Sequence, residues 1–175
     1  MVQNAAPFAF TIAGRLARPR YSPSRILPVK NRAIEIHDSA LQEIIVEGDA
    51  AVLHFPHVYI HESEGRPGVD AGTGWSQEAV LRIGNARVEG SFPDGNREAL
   101  AGCNDDVFCL NDGVLVINGA VSDNMIPIPL DVSGDVKLKL VCWSNAVHIS
   151  GTSAKLELIG EAEYVEDFDP KPHAS

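Results

Sequence analysis

The fold is decided by residues 136–143, Val-Lys-Leu-Lys-Leu-Val-Cys-Trp, in which apolar side chains occupy every second position. Two further alternating stretches follow, Ala-Val-His-Ile at 146–149 and Ala-Lys-Leu-Glu-Leu at 154–158. Because successive side chains of a β-strand point to opposite faces, a period of two predicts one buried face and one solvent-exposed face. We interpret the three stretches as a three-strand meander, with Val136, Leu138, Leu140 and Cys142 facing the core.

The pattern continues toward the N-terminus. Further short apolar runs, separated by Gly, Asn, Asp and Pro, predict strands at 33–37, 50–61, 79–83 and 114–117. Strands at this spacing favour an all-β, single-domain antiparallel β-sandwich, with a small β-barrel as the alternative. The Asn118-Gly119 pair is typical of a tight hairpin turn.

In several segments the secondary structure has to be inferred from individual residues. The apolar parity switches at Pro56, which predicts a bulge on an edge strand, and two prolines place 126–130 on an edge as well. Residues 39–46 fit a capping box or a strand, and we favour the strand. A glycine-rich loop is expected at 62–74 and a short helix around 97–100.

Charge divides the chain into three parts. Residues 1–32 form a basic, Pro/Arg-rich arm with six basic residues and no acid, whereas the whole chain has a net charge of −10. We assign residues 33–166 to the β-sandwich domain and residues 167–175 to a flexible acidic, proline-containing tail. The arm is read as a basic arm, a targeting segment or a first strand.

The acidic body excludes some classes of partner. Its remaining charge of −16 disfavours nucleic acid and anionic membranes, and a basic protein partner or a small ligand is expected instead. No apolar run approaches the roughly 20 residues of a membrane-spanning helix. Three cysteines without a Cys-x-x-Cys spacing indicate reduced thiols and a cytoplasmic location.

The histidines His54, His57 and His61 do not predict a metal site by themselves. Along one strand His57 and His61 are about 13 Å apart, and His54 points to the opposite face from His57. Three or four ligands must lie about 2.0–2.3 Å from a zinc ion, so we expect no metal and no cofactor.

A binding surface is predicted near the middle of the chain. His57, Tyr59 and His61 share one face of a strand, either as a recognition stripe or as an ordinary solvated face. The loop that follows contains Arg66 and Asp70 and ends at Trp75, and it is either a binding loop or a connection anchored by that tryptophan. The predicted binding residues are His57, Tyr59, His61, Arg66, Asp70 and Trp75.

Catalytic motifs are absent from the sequence. His37-Asp38-Ser39 has the residue types of a hydrolytic triad, but triad members come from separate segments, and Asp38 or Ser39 is better explained by strand-end hydrogen bonds. We therefore predict a non-catalytic interaction or ligand-binding module, of which a toxin-neutralising (immunity-type) protein is one form. The alternatives are a homo-oligomeric structural protein and a small enzyme with its acid–base groups in the sheet cup: His37, Asp38, His57, His61 and Glu62.

Overall fold

The computed structural model describes residues 30–101 and 106–169, and most of the basic arm and part of the tail lie outside them. The described residues form 12 strands and a three-residue 3-10 helix at Asp94–Asn96. The strands are β1 (Asn31–Leu41), β2 (Glu43–Glu47), β3 (Ala50–Ser63), β4 (Gly72–Gly84), β5 (Arg87–Glu89), β6 (Arg97–Glu98), β7 (Val107–Cys109), β8 (Asp112–Ile117), β9 (Ala120–Asp123), β10 (Met125–Ile128), β11 (Asp131–Cys142) and β12 (Asn145–Phe168).

All 12 strands belong to one antiparallel sheet. The main order is β6-β7-β1-β3-β4-β12-β11-β8-β9, while β10 pairs with β1, β2 with β3, and β5 with β12. The sheet curls into a half-barrel. The all-β antiparallel class is therefore confirmed, and the choice between a sandwich and a barrel stays a prediction.

Asn124 helps to hold the curl. Its backbone N–H donates to Gly113 O at 2.8 Å, and its carbonyl accepts from Ile36 N–H at 2.9 Å. One residue thus links β8 to β1, two strands that are far apart in the order of the sheet. Its positive φ of 53° suits asparagine, which tolerates the left-handed region better than most residues do.

The core lies on the inner face of the curled sheet. Val136, Leu138, Leu140 and Cys142 are each at most 1% exposed, as the alternation predicts, and Lys137 and Lys139 on the other face are exposed. The same cluster takes in residues from seven other strands, including Ile34, Leu53, Ile60, Leu81, Phe108, Leu115, Ile126 and Ile149.

The predicted three-strand meander is wrong, because β12 continues through 150–153 where a turn was expected. The pairing of β11 with β12 shifts register between Ser133 and Val136 instead of ending. A Cβ at Gly151 would lie 2.5 Å from Gly84 O, so this glycine permits the close approach of β4. The sequence predicts a turn at this glycine, but its actual role is to let the strands pack closely.

Pro56 causes a bulge, as predicted, since the register of β3 on β4 shifts between Phe55 and Val58. The edge position is wrong, because β3 lies between β1 and β4. A bulge leaves backbone groups out of the regular ladder, and a proline without an N–H is tolerated there. The predicted edge position of 126–130 fits β10, which among the described strands pairs only with β1.

The predicted helix around residues 97–100 is wrong, because Arg97–Glu98 forms strand β6 against β7. The guanidinium of Arg97 lies 4.3 Å from the Phe108 ring centroid and donates to the carbonyls of Gln42 and Asp106. These tertiary contacts outweigh a local helix preference worth a few tenths of a kcal/mol per residue.

Several boundaries differ from the sequence reading by a few residues. The strand reading of residues 39–46 is confirmed by β1 and β2, and positive φ at both Asn118 and Gly119 confirms the tight turn. The β3–β4 loop is shorter than predicted and spans 64–71. Strand β1 begins at Asn31 and β12 ends at Phe168, so the sheet extends slightly beyond 33–166.

No helix within the described ranges has the length and hydropathy of a membrane-spanning segment. Cys142 is a buried thiol, as its phase in β11 predicts, and burial raises its pKa.

Core burial on β11 gives a direct test of the register. We expect Leu140→Ala to lower the free energy of unfolding by about 2–5 kcal/mol, because it empties a fully buried position. The neighbouring Lys139→Ala should cost under about 0.5 kcal/mol, since Lys139 is exposed and forms no ion pair among the described residues. Urea unfolding measures both values, and equal costs would contradict the assigned register.

Candidate functional site

His57, Tyr59 and His61 share one face of β3, as predicted, but this face is not solvated along its length. Tyr59 is 8% exposed and His61 is 3% exposed. The Phe168 ring, at the end of β12, meets the His61 ring edge-on at a centroid distance of 4.7 Å. The recognition-stripe and solvated-face readings both required accessible side chains, and of the three only His57 is more than slightly exposed.

His61 is held by a carboxylate. Its Nε2 forms a hydrogen bond and ion pair with Glu35 Oε2 of β1, and its buried Nδ1 has no hydrogen-bond partner within residues 30–101 and 106–169. Burial alone would raise the pKa of Glu35, but the hydrogen bond from His61 and the charges of His37 and His61 together lower it. Glu35 is therefore an ionised, partly buried carboxylate.

Tyr59 reaches across β4 to β12. Its hydroxyl donates to Glu166 Oε1 at 2.9 Å. The ring passes over Gly74, where a Cβ would lie 2.5 Å from Tyr59 Cζ, so a side chain at this position would displace the ring. Burial, followed by the hydrogen bond and charge of Glu166, raises the pKa of Tyr59, and the hydroxyl stays protonated as a donor.

The residues His37-Asp38-Ser39 lie in an irregular part of β1, where the pairing with β3 shifts between Glu35 and Ala40. The Ser39 hydroxyl donates to Glu35 O at 2.6 Å and accepts from Tyr59 N–H at 3.3 Å. The predicted strand end is wrong, because β1 continues to Leu41, and the backbone N–H that Ser39 accepts from belongs to the neighbouring strand rather than to its own segment.

This irregularity creates what we call the carboxylate–histidine cluster: Glu35, His37, Asp38 and His61. Glu35 Oε1 lies 2.8 Å from His37 Nδ1, and Asp38 Oδ1 lies 3.3 Å from His37 Nε2. The side chains of His37 and Asp38 are 43% and 52% exposed, whereas His61 is enclosed behind Glu35. The cluster thus joins a buried histidine to an open, polar surface.

His57 belongs to a different environment. Its Nδ1 is 2.8 Å from Ser76 Oγ, and burial lowers its pKa, although the charge of Asp38 acts in the opposite direction. A cleft of about 380 Å³ opens beside it on the same face of the sheet. We call this the acidic cleft, and its polar lining is His57, Ser76, Gln77, Glu78, Glu161 and Glu163.

The loop residues of the predicted binding set form a local turn. Arg66 N–H donates to the carboxylate of Asp70, and the Arg66 side chain, 79% exposed, lies 3.9 Å from the same carboxylate. Trp75 pairs with Ile60 in the ladder and packs against the core, with its indole N–H donating to Thr73 Oγ1 at 2.8 Å. The anchoring role foreseen for Trp75 thus fits its position on the core side of β4.

The six predicted binding residues therefore do not make one surface. Tyr59 and His61 are covered, Trp75 faces the core, and Arg66 and Asp70 project from the loop. Of the proposed acid–base groups, His37 and His61 meet through Glu35, and Asp38 lies against His37. Glu62 pairs instead with Lys30 at 2.7 Å. The binding role of the set stays a prediction.

Sequence reasoning missed Glu35, Glu166 and the glutamates of the cleft. For Glu35 a signal existed, because it lies two residues before His37 and shares its face in a regular strand. For Glu161 and Glu163 no such signal exists, because β12 shifts register on β4 between Ile159 and Glu163 and again between Tyr164 and Glu166.

Comparison of the chain with protein-family models, curated proteins and solved structures finds no match.

The packing of the Tyr59 ring over Gly74 leads to a prediction about stability. Gly74→Ala should destabilise the fold by about 1–3 kcal/mol, as for overpacking, because the new methyl group displaces the Tyr59 ring. Gly95→Ala is the matched control, since a Cβ at Gly95 meets nothing within 4 Å and should change stability by under about 0.5 kcal/mol. Equal effects in thermal or urea unfolding would contradict the packing of Tyr59 over Gly74.

The lowered pKa of Glu35 predicts a pH dependence of stability. A carboxylate with a depressed folded-state pKa stabilises the protein above its unfolded-state value and loses this contribution as the pH falls through the folded-state pKa. The difference in unfolding free energy between wild type and Glu35→Gln should therefore be larger at pH 6 than at pH 3. Denaturant unfolding at both values measures it, and a difference that grows on acidification would show the opposite linkage.

Proposed function

We propose that the protein is a non-catalytic interaction module that binds a basic, extended partner along strand β12. The observation that carries the proposal is the acidic cleft, whose lining among the described residues includes three carboxylates and no lysine or arginine. The proposal retains the basic partner expected from the net charge and moves the contact from the 57–75 region toward β12.

The charge of the cleft is not balanced within the described part of the chain. Glu78, Glu161 and Glu163 are exposed, and none of them forms an ion pair with a described lysine, arginine or histidine. His57 does not supply a fixed positive charge, because its pKa is lowered by burial. A guanidinium or ammonium group entering the cleft would therefore meet uncompensated carboxylates.

Strand β12 also offers backbone hydrogen bonds. Up to Lys155 it pairs on its second edge with β11, and Leu156 N–H donates to Leu130 O. From Glu157 to Phe168 it pairs with β4 alone among the described strands. An extended peptide can add to an edge of this kind, with the main chain giving affinity and the side chains giving selectivity.

The side chains of this edge suit a partner of mixed basic and apolar character. Ile159, Tyr164 and Val165 are 39%, 54% and 47% exposed. Exposed acids surround them, and like charges disfavour the pairing of this edge with the same edge of a second copy. The edge is thereby protected from self-association and open to a strand of opposite charge. A basic toxin would be one partner of this chemistry.

The test uses a labelled peptide of alternating Arg and Val and a matched peptide of alternating Glu and Val. The Arg peptide should bind the wild-type protein, and Glu161→Gln/Glu163→Gln should weaken binding by about tenfold, which corresponds to ~1.4 kcal/mol for two charge contacts. Fluorescence anisotropy at low and physiological salt measures the affinities, and added salt should weaken binding.

The matched control is Glu89→Gln/Asp123→Asn, which removes the same charge from exposed positions outside the cleft. This variant should bind the Arg peptide almost as tightly as wild type does, with only the small loss of affinity that a lower net negative charge causes. Equal weakening by both double variants would show that overall acidity, and not the cleft, attracts the peptide. Absence of binding by wild type would overturn the proposal directly.

A further inference from the structure

Trp143 is a large aromatic side chain that the fold leaves exposed. It is 61% exposed, and its ring contacts no other aromatic ring among the described residues. Because Cys142 pairs with Asn145, Trp143 is the first residue of the two-residue loop that joins β11 to β12. The side chain is not part of the hydrophobic core, whereas exposed tryptophans are among the residues that contribute most energy to protein–protein interfaces.

The backbone of Trp143 has a conformation that a tryptophan rarely adopts. Its φ of 54° lies in the left-handed region, where two-residue hairpin loops favour glycine, asparagine or aspartate. The side-chain oxygen of Asn111 accepts from the Trp143 N–H, and the Asn111 N–H donates to Val141 O at 2.9 Å, so the loop is fixed in place. Backbone strain of this kind clusters at positions with a function, and here it holds an aromatic ring in solvent.

A groove that could receive such a ring lies on the outer face of the same two strands. We call it the outer groove, and its volume is about 360 Å³. Val114 and Val116 of β8 are half-buried and give it an apolar floor. A cation over the face of an indole ring attracts it, so basic groups beside an apolar floor suit tryptophan. The groups that can carry a positive charge here are Arg87, Lys137, Lys139 and His148.

The charge of the outer groove differs from that of the rest of the acidic body. Residues 33–175 contain eight basic residues, and three of them line the groove, namely Arg87, Lys137 and Lys139. Glu89 is the one carboxylate among the described lining residues. Two copies of a chain with a net charge of −10 repel each other, and this repulsion is smallest where their basic residues are concentrated. The face around the groove is therefore where a second copy can approach.

We propose that two copies of this chain associate through this face, with Trp143 of each copy inserted into the outer groove of the other. Trp143 follows Leu138, which lines the groove, by five positions, or about 17 Å of extended strand. A two-fold axis that lies between the two faces and crosses β11 midway exchanges these two positions, so both contacts form together. A patch that carries both an inserting side chain and its receiving groove meets the self-complementarity of an isologous dimer.

This dimer is independent of the function proposed above. The outer groove and the acidic cleft share no lining residue, so the dimer leaves the lining of both clefts outside the contact patch. The homo-oligomeric alternative expected from the sequence thereby acquires a defined surface.

The experiment measures the mass of the full-length protein by analytical ultracentrifugation as its concentration rises. Wild type should approach twice the 18.8 kDa of one chain. Trp143→Asn should weaken self-association by about tenfold or more, as for a tryptophan at the centre of an interface. Asparagine tolerates a φ of 54° better than tryptophan does, so this variant should fold as well as wild type. The matched control is Tyr164→Asn, which removes an exposed aromatic ring outside the groove and should leave the dimer unchanged.

Val116→Glu tests the groove itself and should weaken self-association as Trp143→Asn does. The new carboxylate makes the floor polar but lies directly opposite Lys137 in the ladder, so the sheet should tolerate it, which circular dichroism checks. An equimolar mixture of the two variants should associate more tightly than either variant alone, because the heterodimer regains one intact contact between Trp143 and the groove. A wild type that stays monomeric, a Trp143→Asn variant that dimerises as wild type does, or a mixture without this gain would overturn the proposal.

Discussion

Backbone hydrogen bonds along the 24-residue strand β12 hold the sheet together. Strands β11 and β5 pair with its first half, and β4 pairs with the remainder, so this one segment joins both sides of the sheet. The curl follows from the register shifts along these pairings, since each bulge increases the local twist. Asn124 then connects the strands that the curl brings together.

Both the carboxylate–histidine cluster and the acidic cleft lie where the regular ladder is interrupted. In β1 the shift between Glu35 and Ala40 places Glu35, His37 and Asp38 close together, with the Ser39 hydroxyl completing the backbone hydrogen bonds. In β12 the shift between Ile159 and Glu163 opens the acidic cleft. A bulge can redirect side chains without breaking the sheet, and both sites use this property.

The sequence predicts the regular parts of this fold well and the interrupted parts poorly. Alternation identifies the buried face of β11, because one face of a regular strand must be apolar to join the core. It also locates the bulge at Pro56. It fails at Gly151 and Arg97, whose conformations depend on β4 and on Phe108, residues distant in the sequence. The site residues belong to this second group, since Tyr59 is covered by Glu166 from 107 positions away.

Tyr59 and Ser39 also connect the two halves of the polar face. Ser39 bonds both to the carbonyl of Glu35 and to the amide of Tyr59, and the Tyr59 hydroxyl bonds to Glu166 on β12. A displacement of β12 would therefore be transmitted to the Tyr59 ring, which contacts His61 at a centroid distance of 4.9 Å. Because His61 holds one oxygen of Glu35, the position of that carboxylate depends on contacts that begin at β12. Groups that share hydrogen-bond partners in this way respond to substitution non-additively, in contrast to groups more than about 7–10 Å apart without shared partners. The contacts from Ser39 through Tyr59 to Glu166 and His61 thus form one network, which reaches solvent at the half-exposed His37 through Glu35.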